Sequence, residues 1–356
     1  MHGRVQQALV ITTILVVTML AGVVGMRQLQ SHVKVLPGLR GCWTLSGMSK
    51  QVDCTSEWLF TTADDVVTSS NTDSRNAQMI AFVRSVDTRA ATDAQLAGVC
   101  HPAMHVLGRA EGRRAAAVQQ VPPLPDAGAQ QLCTAGFVHG AVEGWVAASP
   151  NADVNTAFSA LCVQNRERPG CAHGLGHAML QAQTADEAGV ARALARCSAL
   201  PAPYPTNCSS GVFMEAAMQR PAMKTSTYIA LCQAQSRGVD RLNCANYLDL
   251  NLSTHDVPVA EHGAYCEQLP RGLETTCMSG WGRQLGVEGL ETCASASRTV
   301  LTQLCIDGAI GLPVGSGHIT AAEATTRCEQ ALADDLAAFC KRAVQRYSAG
   351  RSTIEQ

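Results

Sequence analysis

The chain has 356 residues, 27 basic against 29 acidic side chains, a net charge of −2 and only 4% aromatic residues. No run of either sign stands out, so a basic face for nucleic-acid phosphates is excluded, and scarce aromatics exclude a base-stacking platform. The length is ample for a sizeable buried core.

The first predicted element is apolar. Ala8 to Met26 is nineteen residues without a charge, framed by Arg4 and Arg27, long enough to cross a hydrocarbon core as a helix. A cleaved signal peptide has the same layout, but this run exceeds a usual h-region and no A-x-A site follows it. The reading favours an uncleaved anchor over residues 1–30, a single-pass location in the cell membrane and an extracytoplasmic ectodomain. Sixteen cysteines with no C-x-x-C agree with export; outside a reducing compartment they imply disulfides, not metal clusters or redox motifs. Residues 31–75 are expected to form a membrane-proximal stalk, with Cys42 and Cys54 closing a small loop.

From residue 76 the expectation is an all-α ectodomain reaching residue 345. Its cysteines fall in close pairs: Cys162 and Cys171, Cys197 and Cys208, Cys232 and Cys244, Cys266 and Cys277, Cys293 and Cys305, Cys328 and Cys340. The first members recur after 35, 35, 34, 27 and 35 residues. A period near 35 is that of a two-helix repeat. Asp186 to Cys197 places Val190, Leu194 and Cys197 on one helical face behind acidic residues suited to a first turn, and the prolines of 201–205 then break the helix. Each disulfide is therefore expected to join the end of one helix to the start of the next, giving a solenoid-like array of αα-hairpins. Cys100 and Cys133, each lacking a close partner, are expected to pair with one another. The cysteine placement, clearest over 162–180, resembles that of cysteine-rich Sel1-like αα-repeat proteins; the resemblance covers roughly residues 160–345 and implies protein–protein interaction.

Glycine follows the second cysteine of a pair by three residues at Gly136, Gly174, Gly211, Gly280 and Gly308. Because glycine weakens a helix, the recurrence implies close helix packing. Gly311 to Gly317, between paired cysteines, reads as a loop, and residues 346–356 as a flexible tail.

Five of the ten histidines lie between residues 101 and 177. His139 and His177 stand six beyond their cysteines and His105 five beyond Cys100, so they occupy one structural position in consecutive repeats. Glu143 is one turn beyond His139, and His173 one turn before His177. Pro102 suggests that His101 caps its helix. Neutral imidazoles with a carboxylate suit zinc, iron or copper, and Met214, which takes the histidine position one repeat later, favours copper(I). The candidate metal ligands are His105, His139, His177 and Glu143, supported by His101 and His173. Met214, Glu215 and Arg109 are candidates for binding a cofactor, Arg109 as an anion contact beside Arg113 and Arg114. Glu143 is also the candidate proton acceptor, since a three-nitrogen, one-carboxylate site with an open position activates water. The sequence leaves open whether an enzyme results. Helices pack with axes about 8–10 Å apart, so convergence of three in a row would need strong curvature. The alternative is a non-catalytic scaffold whose concave face binds a peptide, a glycan or an envelope protein.

Overall fold

A computed structural model of the chain describes residues 39–352, except 47, 126–131, 150–152, 166–167, 185, 219–222 and 317–318. The expected anchor over residues 1–30 lies outside the described residues. Among those described there are α-helices, two short 3₁₀ segments and no strand, and no helix is long and apolar enough to cross a membrane.

The chain opens with α1 (Leu39–Cys42), α2 (Met48–Val66) and α3 (Thr72–Ala90), followed by α4 (Ala94–Ala117) and α5 (Leu132–Ala147). Residues 39–75 form no separate stalk. Leu39, Leu59 and Ala63 are buried in one cluster with Phe82, Val83, Leu96 and Phe137, and α2 lies along α4. This short apolar stripe on a mostly polar helix suffices to dock it. Cys42 is bridged to Cys54 within this layer, and Cys100 on α4 to Cys133 on α5. Asp87 of α3 accepts hydrogen bonds from the Cys133 and Thr134 amides and the Thr134 hydroxyl, satisfying amide donors that the first turn of α5 leaves without partners.

Beyond α5 the repeat becomes plain. An inner row is formed by α7 (Arg168–Gln181), α9 (Tyr204–Met218), α11 (Gly238–Asn246), α14 (Leu273–Leu285), α16 (Thr299–Ser316) and α18 (Asp334–Ser352). Each packs on the next, and α7 packs on α5. Outer helices precede them: α6 (Val154–Leu161), α8 (Glu187–Cys197), α10 (Thr225–Ala234), α13 (His262–Cys266), α15 (Leu290–Cys293) and α17 (Ala321–Ala331), with α12 (Leu248–Thr254) directly after α11.

Six disulfides tie each outer helix to the inner helix that follows it, with the pairing expected from the spacing. Cys162 is bridged to Cys171, Cys197 to Cys208 and Cys232 to Cys244. Further along, Cys266 is bridged to Cys277, Cys293 to Cys305 and Cys328 to Cys340. All sixteen cysteines are thus bridged, and the Cα–Cα distances of 5.1 to 5.7 Å are those of ordinary disulfides. A loop of about a dozen residues closed this way contributes roughly 3 kcal/mol in the chain-entropy model. The single 27-residue recurrence, from Cys266 to Cys293, has a structural cause. After α14 the chain turns at Gly286, whose φ of +60° favours glycine, and the outer helix shrinks to a 3₁₀ turn and the four residues of α15.

Three boundaries differ from the sequence expectation. Pro169 and Pro205 lie in the first turns of α7 and α9, where a missing N–H costs nothing, so both helices begin before their cysteines. Gly311 to Ser316 is the end of α16 rather than a loop; a Cβ on Gly311 would lie 3.0 Å from the Tyr347 ring, so the glycine admits that side chain. The expected tail is helical through Ser352, because the Tyr347 hydroxyl donates to Asp307 (2.9 Å) and Arg346 pairs with the same carboxylate.

Candidate metal centre

The five histidines come from three inner helices: His101 and His105 from α4, His139 from α5, and His173 and His177 from α7. Pro102 does not start a helix. It sits inside α4, so His101 does not cap and instead stands one full turn before His105, on the same face.

Glycine brings these helices together. A Cβ on Gly140 would lie 2.0 Å from the His105 carbonyl oxygen, and one on Gly108 would lie 2.1 Å from that of Phe137. Each helix thus presents a bare backbone to the other, and α4 and α5 approach more closely than side chains would allow. Between α7 and α9 the same device recurs: a Cβ on Gly211 would lie 1.9 Å from the His173 carbonyl oxygen. The helix spacing that argued against convergence therefore does not apply. Ring centroids are 4.9 Å apart for His105 and His177, 5.3 Å for His101 and His139, and 4.7 Å for His139 and His173.

Three sets of donor atoms lie within 4.8 Å of one another: His101, His105 and His139; His139, His173 and His177; and His105, Glu143 and His177. Any two sets share one histidine, and the shared ones are His105, His139 and His177, the three at equivalent repeat positions. This buried cluster of histidines and a glutamate can hold a metal ion.

Glu143 is completely buried. Its Oε2 accepts from Arg109 Nε (2.9 Å) and Nη2 (2.7 Å) and from Gln181 Nε2 (2.8 Å). The other oxygen, Oε1, lies 3.2 Å from His105 Nε2 and 3.5 Å from His177 Nδ1. Oε1, His105 Nε2 and His139 Nδ1 are all buried without a hydrogen-bond partner, a condition that costs about 1–3 kcal/mol per group. Burial first, and then neighbouring positive charge, holds His105, His139 and His173 well below the usual imidazole range, which keeps these rings in the neutral form that ligates metals. Burial also pushes the Glu143 carboxyl up to about 7, against the pull of His177 and Arg109 and with the repulsion of Glu215.

Other sequence candidates find more specific places. Arg109 is no free anion contact, since its guanidinium is engaged on Glu143. Arg114 pairs with Glu111 (2.8 Å) and Arg113 is exposed, which makes them a solvated helix face. On α9, Met214 Sδ lies 3.4 Å from His173 Nε2, and Glu215 Oε2 lies 3.0 Å from His177 Nδ1. Gln181 was not foreseen, although it stands one turn beyond His177. The close packing expected at Gly136, Gly211 and Gly308 is found, a Cβ at each lying within 2.2 Å of a carbonyl oxygen of a neighbouring helix, but Gly108, Gly112, Gly140 and Gly144 were not foreseen, although their four-residue spacing is the signal. No known protein family, curated protein or solved structure matches the chain.

Proposed function

We propose that the chain is an exported helical-repeat protein, held at the membrane by Ala8–Met26, whose N-terminal half binds a transition-metal ion between α4, α5 and α7. His105 and Glu143 are the central ligands, with His101 and His139, which share a donor set with His105, completing the shell. The observation that carries this reading is that His105 Nε2, His139 Nδ1 and Glu143 Oε1 are buried without a hydrogen bond, with His105 in one donor set with His139 and in another with Glu143. Nitrogen and carboxylate donors at a neutral, buried position suit zinc, iron or copper. Arg109 and Gln181 orient Glu143 by occupying Oε2, as outer partners orient metal ligands elsewhere. A bound ion would supply Lewis acidity at this point; with Oε2 held by Arg109 and Gln181 and Oε1 given to the ion, Glu143 serves there as a ligand and not as the proton acceptor.

The test is metal content and metal-linked stability of the full-length chain. Stoichiometric zinc, iron or copper is expected after purification or reconstitution. Free metal at about a hundredfold over Kd is expected to add about 2.7 kcal/mol of stability. Both responses are expected to vanish in a His139→Ala, Glu143→Gln double variant that still melts cooperatively. Absence of metal, with the same melting temperature in both proteins, overturns the proposal.

A further inference from the structure

The cluster is chemically uneven. Toward α4 its donors are imidazole nitrogen and carboxylate oxygen. Toward α9 the carboxylate no longer faces the open donors, and a thioether takes its place.

We infer that α7 and α9 form a second, different site, a two-histidine, one-thioether site for cuprous ion made by His173, His177 and Met214. The inference deepens the metal-centre reading and rests on it. His177 Nδ1 lies 3.0 Å from Glu215 Oε2; a carboxylate can only accept there, so Nδ1 carries the proton and Nε2 keeps its lone pair. That Nε2 lies 3.1 Å from His173 Nε2, which lies 3.4 Å from Met214 Sδ. Ligands about 2.1 Å from one ion and set at the tetrahedral angle stand roughly 3.4 Å apart, so each of these two separations is that of neighbouring ligands on one ion. His139 belongs both to this donor set and to that of His101 and His105, and so stands between the two sites.

Two features select the metal. Thioether sulfur is a soft ligand that prefers copper(I) to zinc or iron. The harder-binding thiolate is absent, because every cysteine is in a disulfide; the site draws its sulfur from a residue that oxidising conditions do not convert to a disulfide. The fold places this residue through close packing. Gly211 abuts the His173 carbonyl, and Met214 and Glu215, three and four residues on, share its helical face. One helix therefore delivers both the soft ligand and the carboxylate that orients its neighbour.

The test uses the full-length chain saturated with zinc and then titrated anaerobically with cuprous ion kept reduced by ascorbate, in competition with a colorimetric cuprous chelator. One copper per chain is expected in addition to the zinc, with a sulfur scatterer in the absorption fine structure at the copper edge. In Met214→Leu, a volume-conserving change, the sulfur signal is expected to disappear and the affinity to fall while bound zinc is unchanged. In Glu215→Gln, which keeps the sulfur, copper affinity is expected to fall roughly 10–100-fold. Copper bound through nitrogen alone with equal affinity in wild type and Met214→Leu overturns the inference, as does copper that enters only by displacing zinc. Either result leaves the first site standing. A protein that takes up neither metal overturns both.

Discussion

The N-terminal and C-terminal halves of the repeat array share one contact and fill it with opposite chemistry. In several repeats, the residue six beyond the second cysteine meets the residue two beyond the second cysteine of the preceding repeat. The contact is Met214 with His173 (3.4 Å) between α7 and α9, Arg283 with Asn246 between α11 and α14, and Arg346 with Asp307 between α16 and α18. The C-terminal versions are complete in themselves: a cation meets an acceptor, and the Tyr347 hydroxyl adds a further bond to Asp307. At Asp249, burial lifts the carboxyl to about 6 while Arg283 pulls it back down, another carboxylate with a cation beside it. The N-terminal version brings together two donors of lone pairs, His173 and Met214, beside Arg109, which is committed to one oxygen of Glu143, and beside other buried atoms left over. The frame sets where side chains meet; the residue types at that point decide whether the seam is closed or needs an added cation.

The largest expected effect comes from breaking the frame in each half. A Cβ on Gly140 would lie 2.0 Å from the His105 carbonyl oxygen, and one on Gly282 would lie 1.9 Å from that of Cys305. Backbone cannot yield as a flexible side chain can, so Gly140→Ala and Gly282→Ala are each expected to cost about 3 kcal/mol in denaturant melts. Only Gly140→Ala is expected to weaken metal binding as well, because it separates α4 from α5. Equal loss of metal affinity in both variants would mean that the site responds to global stability rather than to this spacing.

The same glycines explain what was legible in the sequence. The repeat could be read because covalent closure needs cysteines at fixed intervals, so the series from Cys162 to Cys340 counts out the units. The equivalence of His105, His139 and His177 followed from that count. Their convergence did not, since ring distance depends on which carbonyl faces which glycine, and that register exists only between folded helices. Arg109 looked like an anion contact because its partner Glu143 is 34 residues away. Pro102 suggested a helix start because proline in a helix interior removes a hydrogen bond, yet tight packing against α5 carries α4 through it. Residues 31–75 read as a stalk because few residues, among them Leu59 and Ala63, make the buried stripe found there.

A smaller effect, of opposite sign in the two halves, follows from the two seams. In metal-free protein, His139→Leu removes a buried nitrogen that has no partner and keeps an apolar body in its place. That change is expected to stabilise by about 1 kcal/mol. Arg283→Leu removes the donor to Asn246 from a partly exposed pair and is expected to destabilise by up to about 1 kcal/mol. Urea unfolding with a chelator present measures both. A stabilised His139→Leu that no longer responds to metal identifies a residue kept for binding at a cost in stability. A destabilised one means that the imidazole is held by packing, and the contrast between halves then loses its N-terminal half.

The smallest effect concerns the outer helices, three of which begin on a carboxylate. Asp153 caps α6 by accepting from the Asn155 and Thr156 amides, Asp186 caps α8 through the Gly189 amide, and Glu323 forms a capping box with Thr320 on α17. Hydrogen bonds, first those from Thr156, Gly189 and Thr320 respectively, hold each carboxyl below its usual range. A depressed folded pKa contributes stability that is present above the unfolded value, near about 4, and is lost as the pH falls through the folded one. By contrast, α10, α13 and α15 have no side-chain cap. Lowering the pH from about 5 to about 3 is therefore expected to raise hydrogen exchange, corrected for intrinsic rate, in the first turns of α6, α8 and α17 and to leave those of α10 and α13 little changed. Two of the three caps flank α7, so acid is expected to loosen the helices around His173 and His177 before it reaches the closed seam of α14. Uniform loosening along the array would show instead that the disulfides, common to every repeat, set the local stability and that the caps add nothing to it.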